Sequence, residues 1–137
     1  MPAMSNHTIV NLKELDNMAE RFGMAPDLEA RFAAGDLQLE KSGLSYQKLA
    51  PEFRMPFGHR HREQEEIYVV IRGSGRMNVE GEVFDVGELD AVRVPPELAR
   101  SVEAGPDGLE ILAYGAPRHA AGGGPSGDAE QLPGWWG

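Results

Sequence analysis

The chain has 137 residues, no cysteine, 22 acidic against 13 basic side chains, and a formal net charge of −9. That length suits one domain with a real core, and the acidic balance argues against nucleic acid or an anionic membrane surface as partner. Without cysteine there are no disulfides, thiolate metal sites or cysteine nucleophiles, so any metal must be held by histidine, carboxylate or neutral oxygen.

The N-terminal MPAMSNHTIV has neither a basic nor an apolar region of the secretory type, so the expectation is a cytoplasmic protein. Apolar runs such as Ile67–Ile71 fall far short of the ~20 residues a membrane helix needs. Thr8 to Leu12 reads as a short strand or extended arm. Asp16 then offers an N-cap for a helical turn over Asn17–Phe22, with Gly23 as its stop. Pro26-Asp27 opens a second helix, LEARFAAG, in which Leu28 and Phe32 share a face and Gly35 is the terminator. Residues 1–42 are therefore read as an arm with short helices packed on the main domain.

From Gly43 the texture changes to short alternating strands with turn signals between them. Leu44–Ala50, Gly58–Arg62, Glu65–Arg72, Arg76–Glu80, Glu82–Val86, Asp90–Val94, Ala99–Ala104 and Leu109–Gly115 are the expected strands. Gly73-Ser74-Gly75, Glu80-Gly81, Gly87-Glu88 and Gly105-Pro106-Asp107-Gly108 are the expected turns. Seven or eight such strands over 43–115 point to a closed or sandwiched all-β fold. Residues 116–137 begin as a Gly/Ala/Pro-rich flexible tail and end on Trp135-Trp136. That pair has too much apolar area to stay in water, so it is expected to clasp the barrel or a partner subunit; a lid over the site is the second reading.

The chemistry concentrates in GHRHREQEEIYVVIRG, residues 58–73. His59 and His61 are two apart, so on a strand both imidazoles point the same way. Glu66 on the following strand can bring a carboxylate to the same point, as a divalent cation requires. Arg100 shares its face with Val102 and Ala104, which makes it inward-facing. Tyr68 shares the parity of Glu66, and Tyr46 and Gln47 are further candidate pocket walls. His7 and His119 lie in or near the flexible ends, where surface solvation is the expectation.

The spacing His59-x-His61-x4-Glu66-x6-Gly73 resembles the first motif of the cupins, small jelly-roll β-barrels, and Gly87 to Arg100 resembles the second. The likeness covers roughly residues 43 to 114. It implies that His59, His61 and Glu66 fall on three positions that commonly ligate one divalent metal, usually iron, manganese, nickel, zinc or copper. It also implies a homodimer. The chain departs from the second motif: Glu97 stands in place of the expected glycine, and Arg100 in place of the fourth ligand, a histidine. A guanidinium stays protonated and has no lone pair to offer, so Arg100 is not a metal ligand.

Three readings follow. A metal on His59, His61 and Glu66 leaves open positions, with Arg100 gripping an anionic small molecule beside it, as in an oxygenase- or isomerase-type enzyme. Alternatively, Arg100 pairs with Glu66, no metal binds, and the barrel holds a small molecule by hydrogen bonds. In the third, the polar cluster is a remnant and the chain is an interaction or oligomer module.

Overall fold

Period-two alternation governs most of the chain, and a computed structural model, which describes residues 6–118 and 128–136, carries eight strands among those residues. In chain order they are β1 (Leu28–Phe32), β2 (Gly43–Leu49), β3 (Phe57–His61), β4 (Glu65–Val79), β5 (Glu82–Gly87), β6 (Ala91–Val94), β7 (Arg100–Ala116) and β8 (Ala129–Pro133). The pairings are antiparallel: β1–β2–β7–β3–β8 run side by side, and β4 pairs with β5, β6 and β7. The sheet curls into the expected all-β jelly-roll barrel. Its interior is apolar at alternate positions, with Leu28, Leu49, Val70, Val94, Leu109 and Ile111 each at most 2% exposed. Burying each such side chain is worth about 1.5–3 kcal/mol, enough to lock the parity of every strand.

Two stretches expected as turns lie inside long strands. Gly73-Ser74-Gly75 belongs to β4, and Gly105-Pro106-Asp107-Gly108 to β7. The two strands pair on both sides of these glycines, with register shifts between Val70 and Arg72 and between Gly73 and Gly75. A Cβ on Gly73 would lie 2.2 Å from the Gly108 carbonyl oxygen, and one on Gly75 2.2 Å from that of Glu103. The glycines are thus needed where two backbones press together at a bulged corner, rather than where the chain reverses. By contrast Glu80-Gly81, both at positive φ, is the expected hairpin between β4 and β5.

The N-terminal region differs more. Thr8 to Leu12 forms no strand, and a 3-10 turn covers Leu12–Glu14. The next turn, Met18–Phe22, is capped by Asn17 rather than Asp16, and Gly23 ends it in the left-handed region at φ 72°. Asn17 Oδ1 accepts from Ala19 N and also from Ala30 N, which ties the turn to β1. The expected helix LEARFAAG is instead strand β1 followed by a single helical turn, α1 (Ala34–Leu37). Leu28 and Phe32 share a face in either conformation. Ala30, also buried, satisfies only the strand period, and Glu29 and Arg31 pair with each other on the outer side. Part of the stretch read as an arm therefore belongs to the barrel sheet.

At the other end, residues 119–127, including His119, lie outside the described residues. Asp128 to Trp136 packs against the barrel, and β8 pairs with β3 from Phe57↔Pro133 to His61↔Ala129. Trp135 Nε1 donates to the Asn78 carbonyl, Trp136 Nε1 to Ser101 Oγ, and Arg54 lies over the Trp136 ring at 4.5 Å. Gly58 faces Trp135 so closely that a Cβ there would meet its Cγ at 2.6 Å. Asn78 and Ser101 are Cα partners on the outer side of the sheet. The tryptophans clasp this outer face and do not line the cavity inside.

Candidate metal centre

Three strands bring the inward polar residues together. On β3, His59 and His61 share a face and their rings meet edge to face, with centroids 5.1 Å apart. On β4, Glu66 and Tyr68 share the inner face, and on β7 Arg100 is the Cα partner of His59. Everything converges on one carboxylate oxygen, Glu66 Oε1. His59 Nε2 lies 3.3 Å from it, His61 Nε2 3.2 Å and Arg100 Nη1 3.4 Å, while the Tyr68 hydroxyl donates to it at 2.6 Å. The donor atoms of His59, His61 and Glu66 all lie within 4.8 Å of one another, a grouping that could hold a metal ion.

The electrostatics follow from burial against charge. Burial alone would raise the Glu66 carboxyl, but the hydrogen bonds and charges of His59 and His61 outweigh it and hold the group well below the usual carboxylate range. Burial works to lower His61, yet its contacts with Glu66 and Asp128 win and raise it, against the opposing Arg100 charge. Burial, then the Glu66 charge, pushes the Tyr68 phenol well up, so it remains a hydrogen-bond donor. Arg100 is 1% exposed and anchored by Nη2 on the Pro95 carbonyl at 2.7 Å, leaving its buried Nε without a partner. Its attraction to Glu66 is on the order of 4 kcal/mol at an effective dielectric of about 20, a term that competes with a cation for the same oxygen.

A metal is nonetheless compatible with these donors, because His61 Nε2 is buried with only the Glu66 carboxylate, 3.2 Å away and in poor hydrogen-bond alignment, to satisfy it. An orphaned nitrogen at such a depth costs about 1–3 kcal/mol unless something satisfies it. Its other nitrogen, Nδ1, is 2.8 Å from Asp128 Oδ1. The reading of residues 116–137 as a tail that begins flexible missed Asp128, since nothing in its Gly-rich start signals a return to the barrel 67 residues after His61.

A cavity of about 30 Å³ adjoins the cluster, lined in part by His59, Tyr68, Arg100, Gln47 and Met77. Gln47 is thus beside the site and Tyr46 is not. Neighbours on a strand face opposite ways, and Tyr46 instead hydrogen-bonds Glu110 at 2.6 Å, with Lys13 over its ring. His7 is exposed, as expected.

A model of the cupin domain matches residues 45–112, and solved cupin structures superpose on the same barrel. The chain belongs to the cupin superfamily. A cupin protein from Bacteroides fragilis is 21% identical with a TM-score of 0.69, over 88% of this chain and 92% of that one. KdgF from Halomonas sp. is 16% identical with a TM-score of 0.66, over 85% and 97%. An oxalate decarboxylase variant from Bacillus subtilis is 24% identical with a TM-score of 0.73, over 94% of this chain but 33% of that one. In sequence, the uncharacterized protein MJ1618 of Methanocaldococcus jannaschii is 33% identical over 63 residues. The match covers 45% of this cupin and half the length of that relative.

Proposed function

We propose that this cupin binds one divalent first-row metal through His59 Nε2, His61 Nε2 and a Glu66 oxygen, with Arg100 positioned to hold an anionic small molecule beside it. The observation that carries the reading is the convergence of the His59, His61 and Glu66 donor atoms within 4.8 Å of one another, with His61 Nε2 buried and poorly aligned on its one neighbour, Glu66. When bound, such a metal supplies Lewis-acid polarisation of a ligand oxygen at a site with open positions. The remaining contributions come from the chain itself. Arg100 has an unpartnered buried Nε–H and a planar donor fork suited to a carboxylate. Tyr68 keeps its proton and orients Glu66, and Gln47 offers a polar wall. The cavity has room for an ion and a small polar group, so the body of an organic ligand would lie toward the partly exposed His59.

A second reading has its own observation, the Arg100 Nη1 to Glu66 Oε1 contact of 3.4 Å, which pairs the charges without any metal. Metal analysis of untagged protein separates the two. Near-stoichiometric manganese, iron, nickel or zinc, lost in a His59→Ala/His61→Ala variant, supports the first. No uptake after incubation with all four sinks it and leaves the metal-free small-molecule site.

The oligomer expected is a homodimer. Ile67 and Tyr114, Cα partners on the outer sheet face, are 38% and 47% exposed and give a second copy an apolar surface to cover. Sedimentation would show a species of twice 14.9 kDa. Among the described residues no helix is long and apolar enough to cross a membrane, and the location proposed is cytoplasmic.

A further inference from the structure

Asp128 reaches the metal centre from an unexpected quarter. It stands at the start of the C-terminal strap, one residue before β8, and it is 8% exposed. One carboxylate oxygen, Oδ1, is 2.8 Å from His61 Nδ1. The other, Oδ2, accepts from the backbone N–H groups of Glu63 and Gln64 at 2.8 and 3.0 Å. A backbone N–H can only donate, so the two amides fix the orientation of the carboxylate. The remaining oxygen can then only accept from His61.

We infer that Asp128 is a positioning residue for the metal centre: it fixes the His61 ring with a proton on Nδ1, so that Nε2 is the nitrogen open to a metal between His59 and Glu66. This rests on the metal reading above for its purpose, although the ring geometry it describes exists without metal. A histidine ligand whose second nitrogen donates to a carboxylate is fixed in both tautomer and rotation, and losing such a partner typically weakens metal binding about 10–100-fold. The strap is thereby part of the site. β8 pairs with β3 residue by residue, Ala129 opposite His61, and the Trp135 and Trp136 contacts hold the far end. A site read from the barrel strands alone lacks this carboxylate.

The isosteric change Asp128→Asn distinguishes positioning from a merely structural staple. The Glu63 and Gln64 amides demand an acceptor, so the Asn carbonyl oxygen must take the place of Oδ2. Its NH2 then faces His61 Nδ1, which has to accept, and the ring proton moves to Nε2, where it blocks a metal. Long-range proton–nitrogen NMR of the full-length, metal-free chain at about pH 9, above the ordinary histidine range, reads the tautomer directly. The expected result is a proton on His61 Nδ1 in the wild type and a ring protonated on Nε2 alone in Asp128→Asn. A wild-type ring protonated on Nε2 alone overturns the inference without needing any variant, and so does retention of the Nδ1 proton in Asp128→Asn. Calorimetric titration with Zn²⁺ adds the functional arm, with at least about a tenfold loss expected for Asp128→Asn. Equal zinc affinity in both proteins sinks the positioning role and leaves the metal site standing. A wild type that takes up no zinc sinks the metal reading, while the tautomer measurement still decides what Asp128 does to His61.

Discussion

Arg100 lies directly opposite His59 on antiparallel strands, so the guanidinium and the imidazole are near neighbours on the inner face of the barrel. Register, not proximity in sequence, sets a permanent positive charge beside the proposed metal ligands. Replacing it by a third imidazole, as a fourth ligand, removes that charge and adds a lone pair. Arg100→His is therefore expected to tighten Zn²⁺ binding by at least about tenfold, or ~1.4 kcal/mol. Calorimetry checks it, and an unchanged affinity would mean that the new ring does not reach the site.

Glu66 balances the same charge from the other side. Removing one partner of a buried ion pair costs about 3–5 kcal/mol, because the other charge is left uncompensated. Glu66→Gln should fall toward that range in urea denaturation at neutral pH, together with loss of metal uptake. A loss below about 1 kcal/mol would show that Arg100 draws its stability from the Pro95 carbonyl instead.

The Trp clasp depends on a missing side chain. With only 2.6 Å between Trp135 Cγ and a Cβ built on Gly58, Gly58→Ala must displace the indole, at about 1–3 kcal/mol. In a Trp135→Ala background the same substitution should be nearly free. A double-mutant cycle by urea denaturation measures this coupling, and simple additivity would mean that Trp135 does not sit there.

Acid sensitivity is expected at Glu103, which Arg54 and Arg76 flank on the outer face. Its burial raises the carboxyl, but the two guanidinium hydrogen bonds outweigh that and lower it. A depressed carboxylate stabilises the fold above its unfolded pKa, and the gain disappears as pH falls through the lower folded value. Glu103→Gln should thus melt modestly earlier than wild type at neutral pH, as for solvent-screened pairs, with the gap closing in acid. A gap that is constant with pH would rule out the charge as its origin.

Strand parity, which needs only neighbouring residues, made much of this cupin legible. His59 and His61 two apart, Glu66 with Tyr68, and Arg100 with Val102 and Ala104 each share a face by alternation alone. The same local logic failed at Leu28–Phe32, where four-residue spacing fits helix and strand alike and pairing with β2 decides. It failed again at Gly73–Gly75 and Gly105–Gly108, since a glycine demanded by a close crossing of two strands looks no different from one demanded by a turn. Tyr46 was offered as a pocket wall beside Gln47, although alternation allows only one of the two inside.

By itself, then, the sequence determined an all-β barrel and a polar cluster facing inward, because side-chain direction along a strand is a property of successive residues. Only the tertiary structure decided what surrounds that cluster. Which strand lies beside β3, that Arg100 is the partner of His59, and that Asp128 comes back to His61 are matters of long-range register. Such contacts are selected by the summed burial and hydrogen bonding of the whole sheet, a quantity that no short window of the chain contains.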